Sequence, residues 1–146
     1  QSTLIKQRDR QGFTRDCHGD LHSGNIFLLQ EPVIFDCIEF NPHLRTIDIF
    51  GELGFFCMDL EFYHRNDLSD SFLEFYNKSF PVITNEQEKQ LFLYYKMYRA
   101  NVKTKINAIK TQQAHNDDEM RSRLGLFQRY FQLMQDYHLK LSTPQS

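Results

Sequence analysis

The stretch His18-Gly19-Asp20-Leu21-His22-Ser23-Gly24-Asn25, together with Ile34-Phe35-Asp36, concentrates the side chains that could do chemistry in this 146-residue chain. Asp20 can take a proton from a hydroxyl. Asn25, across a tight loop, offers a neutral carbonyl oxygen, and Asp36 offers a carboxylate. A divalent cation such as Mg²⁺ takes oxygen ligands, usually one or two carboxylates completed by phosphate oxygens and water. A base, an amide oxygen and a carboxylate converging on one place therefore suit phosphoryl transfer. The base orients an acceptor hydroxyl while the metal bridges the phosphates of the donor.

Convergence depends on the elements between these residues. Ile26-Phe27-Leu28-Leu29 and Val33-Ile34-Phe35 are apolar runs of strand length separated by Gln30-Glu31-Pro32, which predicts a β-hairpin. Loop, strand, turn and strand return the chain to its start, so Asp36 comes back towards Asp20. Upstream, Leu4 to Gln11 reads as the end of a helix, with Gly12 in the left-handed position past its C-terminus. Phe13 to Cys17 reads as extended. Downstream the pattern is helical. Ile47 to Tyr63 is apolar on most sides and suits a buried helix. Ser71-x-x-Glu74 and Thr84-x-x-Gln87 fit capping boxes that open two further helices, separated at Pro81. Leu91, Tyr94, Tyr95, Tyr98, Val102, Ile106 and Ile109 recur at helical spacing, as do Met120, Leu124, Phe127, Phe131, Met134 and Tyr137. The acidic run Asn116-Asp117-Asp118-Glu119 predicts the start of the last helix, where the macrodipole favours negative charge. The expected fold is α+β and mostly helical, a single domain over 1–146 with one small hairpin near its N-terminus.

Composition supports a folded chain. Apolar residues make up 40% and aromatics 14%, enough for a core and against disorder. A net charge of −2 carries no basic stripe, which argues against nucleic acid as a partner. No apolar run reaches the roughly 20 residues that span a bilayer, so no membrane partner is expected either. Cys17, Cys37 and Cys57 form no C-x-x-C pair, so neither a zinc site nor a disulfide framework is expected. They read as reduced, buried thiols of a cytoplasmic protein. Gln1 to Arg10 is polar and charged and shows no secretory pattern.

The spacing of His18, Asp20 and Asn25, with Asp36 ending the second strand, resembles the protein-kinase catalytic loop H-x-D-x-x-x-x-N and its metal-binding Asp. With Gly19 and His22 in place, the H-G-D-x-H-x-x-N form resembles aminoglycoside phosphotransferases, choline kinases and their relatives. That resemblance implies the C-terminal lobe of a protein kinase-like fold. It implies that Asp20 is the catalytic base, that His18 braces the loop, and that Asn25 and Asp36 hold Mg²⁺ against ATP. It also implies that Asp48 supports the catalytic loop from the following helix. The runs Cys17 to His22, Phe35-Asp36-Cys37-Ile38-Glu39-Phe40 and Arg45-Thr46-Ile47-Asp48 are similar to one bacterial subgroup, some of whose members are fused to a P-loop ATPase domain. The resemblance is close from Phe13 to Glu61 and loose afterwards. Arg45 joins Asp48 as structural support. His22 reads first as a loop-packing or hydrogen-bonding residue, with substrate or metal contact the alternative, and Glu39 as a second acid near the metal or a cap of the loop. Asp36 is followed by Cys37-Ile38 rather than Phe-Gly.

Only seventeen residues precede His18, and they hold neither a Gly-rich loop nor a strand-borne Lys. The chain also opens on Gln rather than Met. The expectation is a piece of a longer protein whose ATP-gripping N-terminal lobe lies outside this chain, and which transfers phosphate poorly when isolated. The partner expected for the complete protein is a small molecule bearing a hydroxyl. Two other readings compete. A non-catalytic, pseudokinase-type binding module is opposed by the retained Asp20, Asn25 and Asp36. Gly19-Asp20-Leu21-His22 is also similar to metallophosphatase sites, but the Gly-Asp and Gly-Asn-His turns such sites need are absent after Asn25. Arg99 and Lys103 lie four apart on one helix and repel unless something anionic faces them. With Lys110 they read as a solvated face, contact with an acidic substrate being the alternative.

Overall fold

The structure is a computed structural model and describes residues 2–143. Its elements in chain order are α1 (Ser2–Arg10), β1 (Thr14–Asp16), β2 (Ile26–Phe27), β3 (Val33–Ile34), β4 (Thr46–Asp48), α2 (Ile49–Phe62), α3 (Asn66–Ser79), α4 (Glu86–Gln112) and α5 (Asp117–Ser142). Short 3₁₀ turns cover Ser23–Asn25 and Pro42–Leu44. The fold is mostly helical α+β, as expected, but it has two small antiparallel sheets where one hairpin was expected. β2 pairs with β3 through Ile26↔Ile34 and Phe27↔Val33, a shorter hairpin than the apolar runs suggested. β1 pairs with β4 through Thr14↔Asp48 and Asp16↔Thr46. Ile47 and Asp48 were expected to open the following helix but lie in β4. Thr46–Asp48 is strand because the extended segment after Gly12 needs a partner for its backbone groups, and this segment supplies it.

α1 stops as its sequence implies. Gly12 adopts φ 79, and the Phe13 and Gly12 N–H groups donate to the Arg8 and Asp9 carbonyls at 3.1 and 3.0 Å. These are the two bonds of a Schellman cap. α2 is the central element. Its side chains Ile49, Phe50, Leu53 and Cys57 pack into one buried cluster with Val82, Leu91 and Phe92. Phe55, Met58 and Phe62 pack into a second with Ala100, Tyr130 and Tyr137. A helix with core on both sides has no polar stripe to spare, which explains its apolar sequence. Each fully buried large side chain contributes about 1.5–3 kcal/mol. α4 and α5 pack against one another as a long antiparallel pair.

Two expected helix starts are corrected. Ser71 lies inside α3, which begins at Asn66. The reason is a short stop after α2: His64 takes φ 60, and the Arg65 N–H donates to the Leu60 carbonyl at 2.9 Å. A histidine fills the left-handed position usually given to glycine, and the next helix starts at once. α4 is capped by Asn85 rather than Thr84. The Asn85 side chain accepts from the Glu88 N–H at 2.9 Å, and Glu88 reaches back to accept from the Thr84 N–H and hydroxyl, both at 2.8 Å. The box is present, shifted by one residue. α5 starts where the acidic run predicted, with Asn116 accepting from the Glu119 N–H at 2.8 Å.

Candidate active site

The loop from His18 to Asn25 is held from beneath by α2. The N–H groups of His18 and Gly19 donate to the two carboxylate oxygens of Glu52, each at 3.0 Å. Two turns further along, Asp59 accepts from the Ser23 N–H at 2.8 Å and from the Ser23 hydroxyl at 2.5 Å. Burial pushes the Glu52 carboxyl above its ordinary value, against the pull of the two backbone donors. Gly19 takes φ 86, and a Cβ there would stand 2.9 Å from Ile38 Cδ1 and 3.2 Å from Arg45 Cβ. The left-handed conformation favours glycine at this corner, and the room for a Cβ is tight.

The His18 ring bonds on both sides of the loop. Its Nε2 lies 2.7 Å from the Phe35 carbonyl, and its Nδ1 accepts from the Asp20 N–H at 3.3 Å. That pair of bonds calls for a proton on Nε2. The ring thus ties the loop to the residue before Asp36. The backbone adds Ile38 N–H to the His18 carbonyl at 3.0 Å and Phe35 N–H to the Asn25 carbonyl at 3.1 Å.

Asp20 and Asp36 come together on one open cleft of about 460 Å³, lined also by Cys37, Ile38, Glu39 and Phe40. The Asp20 carboxylate keeps 45% of its surface, enough to meet a ligand. Asp36 is exposed and has φ 62, a left-handed turn that ends the hairpin. Asn25 is buried beneath the loop rather than lining the cleft, and its amide nitrogen donates to the Asp20 carbonyl at 3.1 Å. That bond leaves the Asn25 side-chain oxygen as the atom available to a cation. The donor set of a carboxylate and an amide oxygen is hard and oxygen-only, which fits Mg²⁺ completed by phosphate and water. Among the described residues no three His, Cys, Asp or Glu side chains cluster to hold a metal by themselves.

His22 caps the 3₁₀ turn, its Nδ1 accepting from the Gly24 N–H at 3.1 Å. Its Nε2 stands 3.6 Å from Asp20 Oδ2, beyond a hydrogen bond, and its ring tilts against Phe55 with centroids 5.6 Å apart. Arg45 is structural. Its Nη2 donates to Asp16 Oδ2 at 3.0 Å and its Nη1 to the Ile38 carbonyl at 3.4 Å, which links β1 to the cleft wall. Its Nε is 2.6 Å from Asp16 Oδ1 but makes no hydrogen bond of its own. Glu39 lines the cleft and is exposed.

Asp48 is a buried, hydrogen-bonded carboxylate, but among the described residues its bonds do not reach the loop. It caps α2 by accepting from the Phe50 N–H at 2.8 Å, and it receives the buried Arg8 guanidinium at 2.8 and 3.0 Å. Among the described residues, the carboxylates that hold the loop are those of Glu52 and Asp59. The signal for them was in the sequence: acids inside a helix apolar on most sides must have partners. Arg99 and Lys103 do not form a solvated face. Both are half-buried, with Arg99 Cζ 4.8 Å and Lys103 Nζ 5.0 Å from the centroid of the Phe55 ring.

Among proteins of known sequence, the chain is 35% identical over 114 residues to the uncharacterized protein Rv2004c of Mycobacterium tuberculosis, and equally to the uncharacterized protein Mb2027c of Mycobacterium bovis. The match covers 77% of this chain but 22% of each relative, so the chain spans about a fifth of their length. No family model matches the chain, and no solved structure matches it. No helix among the described residues is long and apolar enough to cross a membrane.

Proposed function

We propose that this chain is the C-terminal catalytic lobe of a kinase-like phosphotransferase that moves the γ-phosphoryl group of ATP to a hydroxyl of a small molecule. The observation that carries the reading is the cleft shared by Asp20 and Asp36, with His18 bonded both to the Asp20 backbone and to the carbonyl of Phe35. Asp20 orients the acceptor hydroxyl and takes its proton as the new O–P bond forms and the bond to the β-phosphate oxygen breaks, so that ADP leaves. Asn25 and Asp36 would hold Mg²⁺, which supplies positive charge against the phosphates when bound. Glu52 and Asp59 fix the loop so that the Asp20 carboxylate is presented without reorganisation. The ATP-covering half belongs, on this reading, to a further part of a longer, cytoplasmic protein.

The test is ATP consumption with Mg²⁺ by the full-length protein over a panel of hydroxyl compounds, beside its Asp20→Asn variant. Turnover in the wild type that vanishes in the variant supports the reading and names the acceptor class. Equal turnover in both removes Asp20 from the chemistry. Asp36→Ala is expected to weaken Mg·ATP binding, and an unchanged metal titration counts against its assigned role.

A further inference from the structure

The charged groups around Phe55 suggest what kind of acceptor the cleft takes. Elsewhere in the helical core, buried cations are neutralised. Arg8 lies on Asp48 and Glu88, and Lys96 lies 2.8 Å from Glu61. One turn past Lys96 on α4, Arg99 donates its Nε to the Gly51 carbonyl at 3.1 Å. Among the described residues no carboxylate comes within ion-pair distance of Arg99, and Lys103 makes neither an ion pair nor a side-chain hydrogen bond. Both cations rest on the Phe55 ring, which also meets the His22 ring, next to the Asp20 carboxylate. Burial lowers the Arg99 pKa, while the Glu52 and Asp20 carboxylates pull it back up. The guanidinium stays charged all the same, since arginine is not deprotonated in proteins. Among the described residues neither cation has an ion-pair carboxylate of its own, so both can meet an anion beside Asp20.

We propose that Arg99 and Lys103 bind an anionic group, phosphate or carboxylate, on the acceptor molecule, so that the substrate class is an anionic hydroxyl compound rather than a cationic amino sugar or choline-like alcohol. This rests on the phosphotransferase reading above. The anion seats between Arg99 and Lys103, and the acceptor hydroxyl extends past His22 to Asp20. Arginine offers planar paired donors and lysine a point charge, a combination suited to phosphate.

The experiment titrates glycerol 3-phosphate, with glycerol as the neutral control, into isotope-labelled protein and follows amide shifts along α4 and at Phe55. Glycerol 3-phosphate is expected to move these resonances and glycerol to leave them. Lys103→Met, on the outer turn, is expected to weaken the binding by about tenfold with an unchanged melting temperature. Arg99→Lys serves as the second variant, keeping the charge but losing the paired donors. Absence of shifts with glycerol 3-phosphate, or equal binding by both variants and wild type, overturns the proposal. The same anion chemistry could come from the nucleotide, so the affinity of the full-length protein for a non-hydrolysable ATP analogue is measured in parallel. An unchanged affinity in Lys103→Met supports the acceptor as the source, and a parallel loss overturns it. Failure of the phosphotransferase reading shows separately, as ATP turnover that survives Asp20→Asn while glycerol 3-phosphate still binds.

Discussion

Glu52 and Glu61 sit on the same helix, and both are buried. Glu61, at the bundle end, is fully occupied: Lys96 Nζ at 2.8 Å, the Ser69 hydroxyl at 2.7 Å and the Tyr137 hydroxyl at 2.5 Å all donate to it. Burial raises its pKa, but Lys96, Tyr137 and Ser69 together bring it below its ordinary value of 4.5. Among the described residues Glu52, at the loop end, receives hydrogen bonds from backbone N–H groups alone, and burial leaves its pKa raised. At the bundle end of α2 the Glu61 carboxylate is closed by Lys96 and two hydroxyls. At the other end Asp20 and Asp36 line an open cleft, and among the described residues Arg99 and Lys103 have no ion-pair carboxylate. A closed network stabilises the fold, whereas open charge in a cleft is retained at a cost and marks where a ligand completes it.

The comparison can be broken by mutation. Asp20→Asn is expected to lower phosphoryl transfer by about 10²–10⁴-fold without moving the melting temperature, because its carboxylate makes no hydrogen bond on which the fold depends. A large loss of stability in that variant would show that the loop end is structural too. Glu61→Ala should do the reverse. It strands the Lys96 ammonium in the core and is expected to cost about 3–5 kcal/mol in urea unfolding. Glu52→Ala should fall between them. It leaves two loop N–H groups unpaired, for about 2 kcal/mol, and lowers turnover by loosening Asp20. A variant that loses stability yet keeps full turnover would remove Glu52 from the positioning of the loop.

The smallest expected effect is in pH. Glu61, with its lowered pKa, contributes stability that is fully present above its ordinary value of 4.5 and is lost as pH falls through the lowered one. Glu52 has the opposite sign: its pKa is raised, so acidification through that pKa returns stability. Glu61→Gln should therefore flatten the acid limb of the stability curve, and Glu52→Gln should steepen it. Urea midpoints measured from neutral pH down to about 3 check both signs. Matching limbs in the two variants would mean that the two carboxyls are not treated differently.

Much of the site was legible because its residues are local. His18, Asp20 and Asn25 share one loop, and the hairpin that returns Asp36 is written in two apolar runs either side of Gln30-Glu31-Pro32. Gly12 and the run from Asn116 to Glu119 announced their helix ends, since those caps are built from neighbouring residues. The stop after Phe62 was hidden because His64 does a glycine's work, and Ser71 then read as a cap it does not form.

The sequence by itself determined the helical periodicity, the hairpin and the spacing of His18, Asp20 and Asn25, since each depends on residues a few positions apart. Tertiary structure alone decided which carboxylates hold the loop, that Thr46–Asp48 is a strand, and that Arg8 lies buried against Asp48 and Glu88. It also decided that Arg99 and Lys103 share the Phe55 ring with His22. These pairings join residues far apart in the chain, and what selects them is the requirement that each buried charge and backbone group find an available partner.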